Sequence, residues 1–433
     1  MMKKLLSILL AIYGANALQA QNMLSLNEAV EIALKNNYDI QLAKTAADVT
    51  AINNNAGNAG MLPNIDFNVS ENLSNTNINQ KFSNGLEVQS NGVGATNLNA
   101  NVALSWTLFD GMKMFATKHR LEELETQSGF ALKEQIQQTV AQVMVEYYAI
   151  VGQKMQIKST QKALDLVQKR LEIVKTQYQV GTVSAFELNQ VTIDQNTNQT
   201  NLLLQQNNLK NQKAGFNVLL AREADIIFDV IETIDVDTAQ APTIDKDLEN
   251  KNFALLSAEI SISVAGFQLS EARAQRLPIV RLNSSYAYTR QTSQAGFSLL
   301  NQSNGLNAGV TASIPLFRGG TIKNQIKTTQ LQLRSSQLQY SRLKNSVSYQ
   351  YQQAFNNFTA YKTIVGMEES NAKLALGNLT IAEGRLKQGL STLLEVKEAD
   401  RNWQDAESRL IEARYNLKVA EIQLQQLRGE LVK

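Results

Sequence analysis

Residues 98–111 read LNANVALSWTLFDG, and a similar stretch returns 208 residues later as LNAGVTASIPLFRG at 306–319. In both stretches the even positions carry apolar side chains up to Leu108 and Leu316, and small or polar residues lie between them. This alternation is typical of a β-strand with one apolar and one polar face. A long run with helical periodicity follows each stretch, so the sequence predicts the same strand-to-helix unit twice.

The recurrence extends well beyond these two stretches. Gly181 and Gly389 are also 208 residues apart, and Leu62-Pro63 matches Leu277-Pro278 at an offset of 215. Self-similarity at fixed offsets indicates repeated structural units. The predicted divisions are a first repeat at residues 22–221, a linker at 222–245 and a second repeat at 246–433.

Each predicted repeat has the same internal order, namely a helix, a pair of strands and a long helical hairpin. Strands of about 10–12 residues are expected, which suits a tilted strand crossing a bilayer. Only four prolines occur in 433 residues, so long helices are not interrupted. The first helices are predicted at 26–60 and 245–276, the strand pairs at 64–109 and 279–317, the Asn/Gly/Ser-rich loops at 72–97 and 291–305, and the hairpins at 112–221 and 321–431.

The hairpins carry apolar residues at alternating spacings of three and four, the pattern of coiled-coil helix packing. Helices this long need partner helices along their whole length. The two shorter helices of a repeat together match the length of the long one, so we expect them to stack end to end beside it. The seam residues are Leu164, Val167, Leu171, Val174 and Tyr178 in the first hairpin, and Trp403, Ala406, Leu410, Ala413, Leu417, Ala420, Leu424 and Leu427 in the second.

Composition excludes several classes of function. Residues 1–20 combine a basic start, a short apolar run and an A-x-A site, which predicts a secretory signal peptide. Its removal takes Lys plus Arg from 41 to 39, equal to Asp plus Glu, so a basic nucleic-acid footprint is not expected. The chain has no Cys and a single His, His119, and shows no catalytic motif. We therefore expect no enzyme activity, no cofactor and no metal site.

Four strands are too few to close a membrane barrel, because single-chain outer-membrane barrels start at eight strands. Open sheet edges are not tolerated in lipid, so strands in a membrane would require several chains. Aromatic residues lie near the strand ends, where interfacial girdles are expected. Trp106, Phe109 and Phe317 are assigned to one interface, and Tyr286 and Tyr288 to the other. A soluble sheet with one solvated face is the alternative.

The export signal, the repeated strand pair ending in LFxG and the long hairpin with Gly at its tip together resemble a TolC-like outer-membrane efflux protein. The resemblance implies a mainly α fold with an internal twofold repeat. Four strands per chain would join a shared trimeric twelve-stranded β-barrel, continued by an α-barrel of helical hairpins. The implied function is a passive exit duct in the outer membrane, extending into the periplasm, for efflux or type I secretion. Its implied partners are a homotrimer, outer-membrane lipid, a periplasmic adaptor and an inner-membrane pump. The alternative is an exported coiled-coil structural or adhesive protein without a pore.

The resemblance also assigns roles to the hairpin tips. Glycine permits a tight reversal between helices, and in the family these tips dock the adaptor. The tip residues that carry over are Val180, Gly181, Thr182, Gln388, Gly389 and Leu390.

Acidic aperture positions of the family fall on Glu395 and Glu398, and Glu187 is the equivalent of Glu395 in the first tip. As rings around a pore, such carboxylates would favour cations and raise each other's pKa. A solvated helix face is the alternative. The closing contacts of the family are not expected, because Leu386 and Ser391 replace the Tyr and Arg that form them.

Overall fold

The computed structural model describes residues 23–235, 247–296 and 298–431. The predicted signal peptide lies outside these residues, as does the end of the predicted linker. The elements are α1 (Leu26–Asn36), α2 (Tyr38–Asn53), β1 (Asn64–Lys81), β2 (Glu87–Phe109), α3 (Lys113–Gln179), α4 (Ala185–Leu219), a 3-10 turn (Leu248–Asn250), α5 (Phe253–Ala274), β3 (Ile279–Ser293), β4 (Leu300–Ser313), α6 (Thr321–Lys387) and α7 (Leu393–Leu427).

The two long helices match their predictions closely. Each has 67 residues, or about 100 Å at 1.5 Å per residue. Asp110 accepts a hydrogen bond from the backbone of Met114 at 3.1 Å, and so satisfies one amide in the first turn of α3. Gly181 and Gly389 lie at the tips of the two hairpins. Their φ angles are 79° and 72°, the left-handed conformation that favours glycine.

The prediction of one helix over residues 26–60 is wrong, because Asn37 divides it. The Asn37 side-chain oxygen accepts a hydrogen bond from the backbone of Asp39 at 2.9 Å and starts α2. Its amide donates to the carbonyl of Leu219 at 2.8 Å, at the end of α4. A short polar side chain can compete in this way with a continuing helix. The spacing of apolar residues in the sequence does not reveal such a break in a helix.

The second half of the chain contains the same junction. Asn252 accepts from the backbone of Leu255 at 3.1 Å and donates to the carbonyl of Leu427 at 3.0 Å. The start of α2 therefore lies against the end of α4, and the start of α5 against the end of α7. Both Asn side chains are buried, so each junction is closed to water. This is the end-to-end stacking that the helix lengths predict.

The four strands form one antiparallel sheet in the order β1-β2-β3-β4. They have 18, 23, 15 and 14 residues, longer than expected. The loop prediction for 72–97 is wrong over most of its length, since only residues 82–86 separate β1 from β2. The prediction for 291–305 is wrong in the same way, because β4 begins at Leu300. Backbone hydrogen bonds between the strands continue into the region where both faces of the sheet are polar. Apolar and polar side chains no longer alternate there, so the sequence pattern does not reveal these parts of the strands.

Two compact units make up the chain, each drawing on both predicted repeats. The sheet unit comprises Ala46–Gly129 and Ser257–Ser341. Within it, α5 is the one described helix whose length and composition would suit a membrane span. Its Ser261 hydroxyl accepts a hydrogen bond from Gln127 of α3 at 2.7 Å. Its Glu271 pairs with Arg120 of α3 at 2.7 Å. The helix therefore packs against α3 through polar contacts.

The hairpin unit comprises Met1–Thr45, Phe130–Leu256 and Arg342–Lys433. A large core joins α1, α3, α4, α7 and the described part of the linker, and in it the Phe216 ring contacts the rings of both Tyr147 and Phe228. Asp229 attaches the linker by accepting hydrogen bonds from Lys154 at 2.7 Å and Lys213 at 3.2 Å. Burial raises the pKa of Asp229, but these lysines and a backbone N–H lower it by more, so the net pKa is below its ordinary value.

The coiled-coil prediction is confirmed by burial. All eight seam residues of α7 except Leu427 are buried, and Leu427 is partly buried. On α3 the four seam residues from Leu164 to Val174 are buried, whereas Tyr178 at the tip is exposed. The seam of α7 also continues through Asp400 to Val396, so a carboxylate occupies a core position.

Candidate pore and docking surfaces

Both hairpin tips in the hairpin unit are built in the same way. The backbone of Thr182 donates to the carbonyl of Gln177, and that of Leu390 to the carbonyl of Arg385, each at 2.9 Å. After each reversal a capping box starts the returning helix, Ser184 with Glu187 on α4 and Thr392 with Glu395 on α7.

The six predicted docking residues are all exposed at these tips. Sequence reasoning missed two further apolar residues beside them. Phe186 is 75% exposed and Leu394 is 68% exposed. They stand 208 residues apart, each five places after its tip glycine, so the repeat alignment itself could have identified them. Exposed apolar side chains on a surface otherwise rich in polar groups favour a protein contact.

Two of the three predicted aperture carboxylates are engaged in helix caps. The Ser391 hydroxyl donates a short hydrogen bond to Glu395, and the backbone of Thr392 donates to the same carboxylate. These bonds, the Ser391 bond first, lower the pKa of Glu395 from its ordinary value. Within one chain the pKa of Glu395 is therefore lowered, whereas a ring of crowded carboxylates would be expected to raise it. Glu187 likewise accepts from the backbone of Ser184 at 2.7 Å.

Glu398 has different surroundings. Its side chain is exposed and makes no hydrogen bond or ion pair with any residue in the described ranges. It borders a cavity of about 600 Å³ between the first turns of α4 and α7. Phe186 and Leu394 contribute apolar walls, and Lys397 bonds to Asp194 across the two helices at 2.8 Å. Of the three predicted aperture carboxylates, Glu398 is therefore the one that no helix cap holds.

A buried ionic cluster connects the two hairpins near their tips. Arg170 of α3 and Asp400 of α7 are 4% and 5% exposed, and their nearest side-chain atoms are 3.4 Å apart. Glu383 of α6 lies 3.7 Å from the same guanidinium nitrogen. The Arg170 Nε finds no acceptor among the described residues. Sequence reasoning did not predict this cluster, because a charge inside an apolar seam has no local signature.

The sheet has two chemically different faces. One face bears large apolar side chains that are exposed in the single chain, and the other is rich in Asn, Ser and Thr. The exposed apolar side chains are Ile65, Phe67, Val69, Val102, Leu306 and Val310. An apolar face of this extent marks a contact with lipid or another protein.

The predicted interfacial aromatics lie in or beside the sheet. The Trp106 indole donates to the carbonyl of Met61 at 2.9 Å. Phe109 pairs with Val280 at the last position of β2. Tyr286 lies at the middle of β3 and Tyr288 nearer its opposite end, and both are partly to largely exposed.

The prediction that Phe317 ends a strand is wrong, because β4 stops at Ser313. Pro315 follows two residues later, and proline lacks the N–H that a sheet ladder requires. Phe317 is 87% exposed in the segment before α6.

Among the described residues, no cluster of three or more His, Asp or Glu could hold a metal ion. His119 stacks on Phe267 at 5.5 Å, and its Nδ1 lies 3.0 Å from Glu122. These contacts belong to helix packing in the sheet unit.

The chain is similar in sequence to known outer-membrane proteins. The model of the family described as outer membrane efflux protein matches residues 29–222 and 245–430. The outer membrane protein TolC of Escherichia coli K12 is 23% identical over 446 residues, covering 99% of this chain and 87% of TolC. The outer membrane efflux protein BepC of Brucella suis is 20% identical, covering 76% and 72%.

Solved structures share the fold. The outer membrane protein VceC of Vibrio cholerae has a TM-score of 0.78 at 16% identity, covering 93% of this chain and 96% of VceC. The CmeC outer membrane channel of Campylobacter jejuni has a TM-score of 0.77 at 18% identity, covering 94% and 86%.

Proposed function

Because the chain belongs to the outer membrane efflux protein family, we propose that it is the outer-membrane exit duct of a tripartite efflux or type I secretion system. It conducts substrates passively from the periplasmic side to the exterior. The observation that carries this function is one chain that holds both a four-stranded sheet with an exposed apolar face and helical hairpins of about 67 residues per long arm.

Several chains share one barrel. The order β1-β2-β3-β4 leaves β1 and β4 as sheet edges in the single chain. Unpaired backbone groups at such edges are too costly in hydrocarbon. Pairing β4 of one copy with β1 of the next satisfies both edges, and three copies give the twelve strands that the family resemblance implies. The hairpins of the three copies then continue the duct as an α-barrel in the periplasm.

An internal twofold repeat builds each chain. The family model matches two segments, 29–222 and 245–430, which correspond to the proposed repeats. Asn37 and Asn252 make equivalent hydrogen bonds, as do the two tip reversals and the two capping boxes. Equivalent contacts at the same two offsets as the sequence matches, 208 and 215 residues, support duplication better than an isolated motif match.

The tips are the docking surface for a periplasmic adaptor, which links the duct to an inner-membrane pump. Support comes from the exposed predicted residues, with Val180 and Leu390 as apolar contacts, and from Phe186 and Leu394 beside them. Adaptor hairpins that present apolar side chains would bury this surface. Cargo is selected mainly by the pump, so the duct architecture does not distinguish drug, metal and protein export.

Glu395, Glu398 and Glu187 lie at the periplasmic aperture, with Glu398 as the main contributor to ion selectivity. The test is the reversal potential of the purified protein in planar bilayers under a salt gradient. We expect cation preference in the native protein and a reduced preference in Glu398→Gln, because a ring of uncompensated carboxylates attracts cations.

The matched control is Glu395→Gln, one turn away, which removes a capping carboxylate and should change selectivity much less. Equal losses in both variants would contradict the assignment to Glu398. A protein that forms no conducting pore would contradict the duct. Neither the family match nor the fold supports the coiled-coil scaffold alternative, and the relatives are channels rather than enzymes.

A further inference from the structure

The strand register orders the apolar face of the sheet into rows. Alternate residues on each strand share a face, and paired residues on neighbouring strands lie side by side. The rows, from the end near α3 towards the hairpin turns, are Trp106-Leu282-Val310, Ile65-Leu104-Ser284-Ala308, Phe67-Val102-Tyr286-Leu306 and Val69-Ala100-Tyr288-Asn304.

The next row on the same face breaks this pattern. It contains Glu71, Leu98, Arg290 and Gln302 in register. We call these four residues the polar row. The row beyond it has Leu73 and Leu300 at its edges and Thr96 and Thr292 between them, and the face becomes polar at Asn75. Counted from the end near α3, the polar row is therefore the first row of this face with charged side chains, one of each sign.

The position of the polar row matches the height of a membrane. Val280 pairs with Phe109 at the opposite end of the face and lies ten residues before Arg290 on β3. Ten residues span about 33 Å along a strand, or about 25 Å of height at a tilt near 40°, which is the typical apolar band of outer-membrane barrels. Tyr286 and Tyr288 lie just below the row, where an aromatic girdle is expected.

We propose that the polar row lies at the headgroups of the outer leaflet and that Arg290 binds the phosphate of an anionic lipid. This inference rests on the proposed function, since it requires the sheet to cross the outer membrane with its apolar face towards lipid. A guanidinium presents paired N–H donors that fit phosphate oxygens. Arg290 is exposed on this face, and the neighbouring Gln302 places a further amide donor in the same row.

The negative charge of Glu71 does not neutralise the proposed phosphate site at Arg290. Leu98 separates it from Arg290 in the row, so the two strands that carry the charges are about 10 Å apart. Its carboxylate lies at the same level, where charged groups are hydrated and cost little. The charged member of the row that complements a phosphate is therefore Arg290.

The test is native mass spectrometry of the full-length assembly in detergent, titrated with diphosphorylated lipid A. The variant is Arg290→Gln, and the matched control is Arg281→Gln. Arg281 lies on the same strand with its side chain on the opposite face of the sheet. We expect about tenfold weaker lipid binding for Arg290→Gln, the size of one charge-assisted hydrogen bond, and unchanged binding for Arg281→Gln. Arg290→Lys should retain only part of the affinity, because it keeps the charge but loses the paired donors of the guanidinium.

Dephosphorylated lipid A identifies the chemistry, since it should bind the native protein and Arg290→Gln equally. The inference is overturned if Arg290→Gln binds diphosphorylated lipid A as the native protein does, or if Arg281→Gln loses as much affinity. If the protein conducts ions in bilayers but gives either of these results, only the lipid-binding inference is overturned. If the protein does not enter membranes, the proposed function as a duct is overturned as well.

Discussion

Glu395 and Glu398 lie three residues apart on α7, yet only Glu395 is held by neighbouring donors. The hydrogen bonds from Ser391 and Thr392 lower its pKa, so its ionised form stabilises the first turn of α7. Because the pKa is lowered on folding, this stabilisation is complete above the ordinary Glu value of about 4.3. It is lost as pH falls through the lowered value.

The capping role can be measured by amide hydrogen exchange in the first turn of α7. Glu395→Gln should reduce protection at neutral pH, and its difference from the native protein should vanish once the pH falls below the lowered pKa of Glu395. Thr392→Ala should destabilise this helix end by about 1 kcal/mol. Glu398→Gln is the control, with protection unchanged. A loss of protection in Glu398→Gln as large as in Glu395→Gln would argue against the distinction.

The buried cluster around Arg170 gives a second prediction at this scale. Asp400→Asn leaves Arg170 with a weaker partner in a site closed to water, and breaking a buried pair costs about 3 kcal/mol or more. The double variant Arg170→Met, Asp400→Leu should recover most of that loss, because apolar side chains suit the seam. Chemical denaturation in detergent measures both, and an undiminished loss in the double variant would contradict the account.

The sequence predicted where the tips lie but not how their carboxylates are used. In sequence, Glu187 and Glu395 are equally consistent with two roles, a pore carboxylate and the last residue of an S/T-x-x-E capping box. Only the backbone geometry distinguishes these roles. Asp400 lies on the seam but was missed. Its partner Arg170 is 230 residues away in sequence, and no local pattern connects them.

At the scale of elements, the long helices were predicted within a residue or two, because glycines mark their tips and no proline interrupts them. The junction at Asn37 and the polar halves of β1 and β2 were missed. Both depend on hydrogen bonds with distant backbone rather than on apolar periodicity. Longer polar strands extend the β1–β2 hairpin beyond the rows that carry the apolar face.

The ends of α4 and α7 offer a matched pair for testing the equivalent junctions. Ala221 and Gly429 both adopt positive φ, at 53° and 68°. A Cβ on Gly429 would lie 2.6 Å from the carbonyl oxygen of Lys251. Gly429→Ala should therefore destabilise the chain by about 1–2 kcal/mol, since it adds left-handed strain and this collision.

Ala221→Gly is the matched control and should be neutral or stabilising by up to about 1 kcal/mol, because it relieves the same strain. Thermal unfolding in detergent measures both changes. Equal effects of the two substitutions would show that the positive φ at these helix ends does not govern stability.

At the scale of the whole molecule, the single chain is incomplete in the environment proposed for it. The edges of β1 and β4 are open, and the apolar face of the sheet is exposed. Strand alternation in the sequence predicts that face, and strand number predicts more than one chain. The number three comes from the family resemblance alone, because the angle between neighbouring copies is not encoded in any local pattern.

The most direct test of the shared duct is the mass of the protein extracted from the outer-membrane fraction in detergent, corrected for bound detergent and lipid. We predict an assembly of three chains that requires detergent to remain in solution. A single chain in detergent, or a protein soluble without detergent, would contradict the shared barrel.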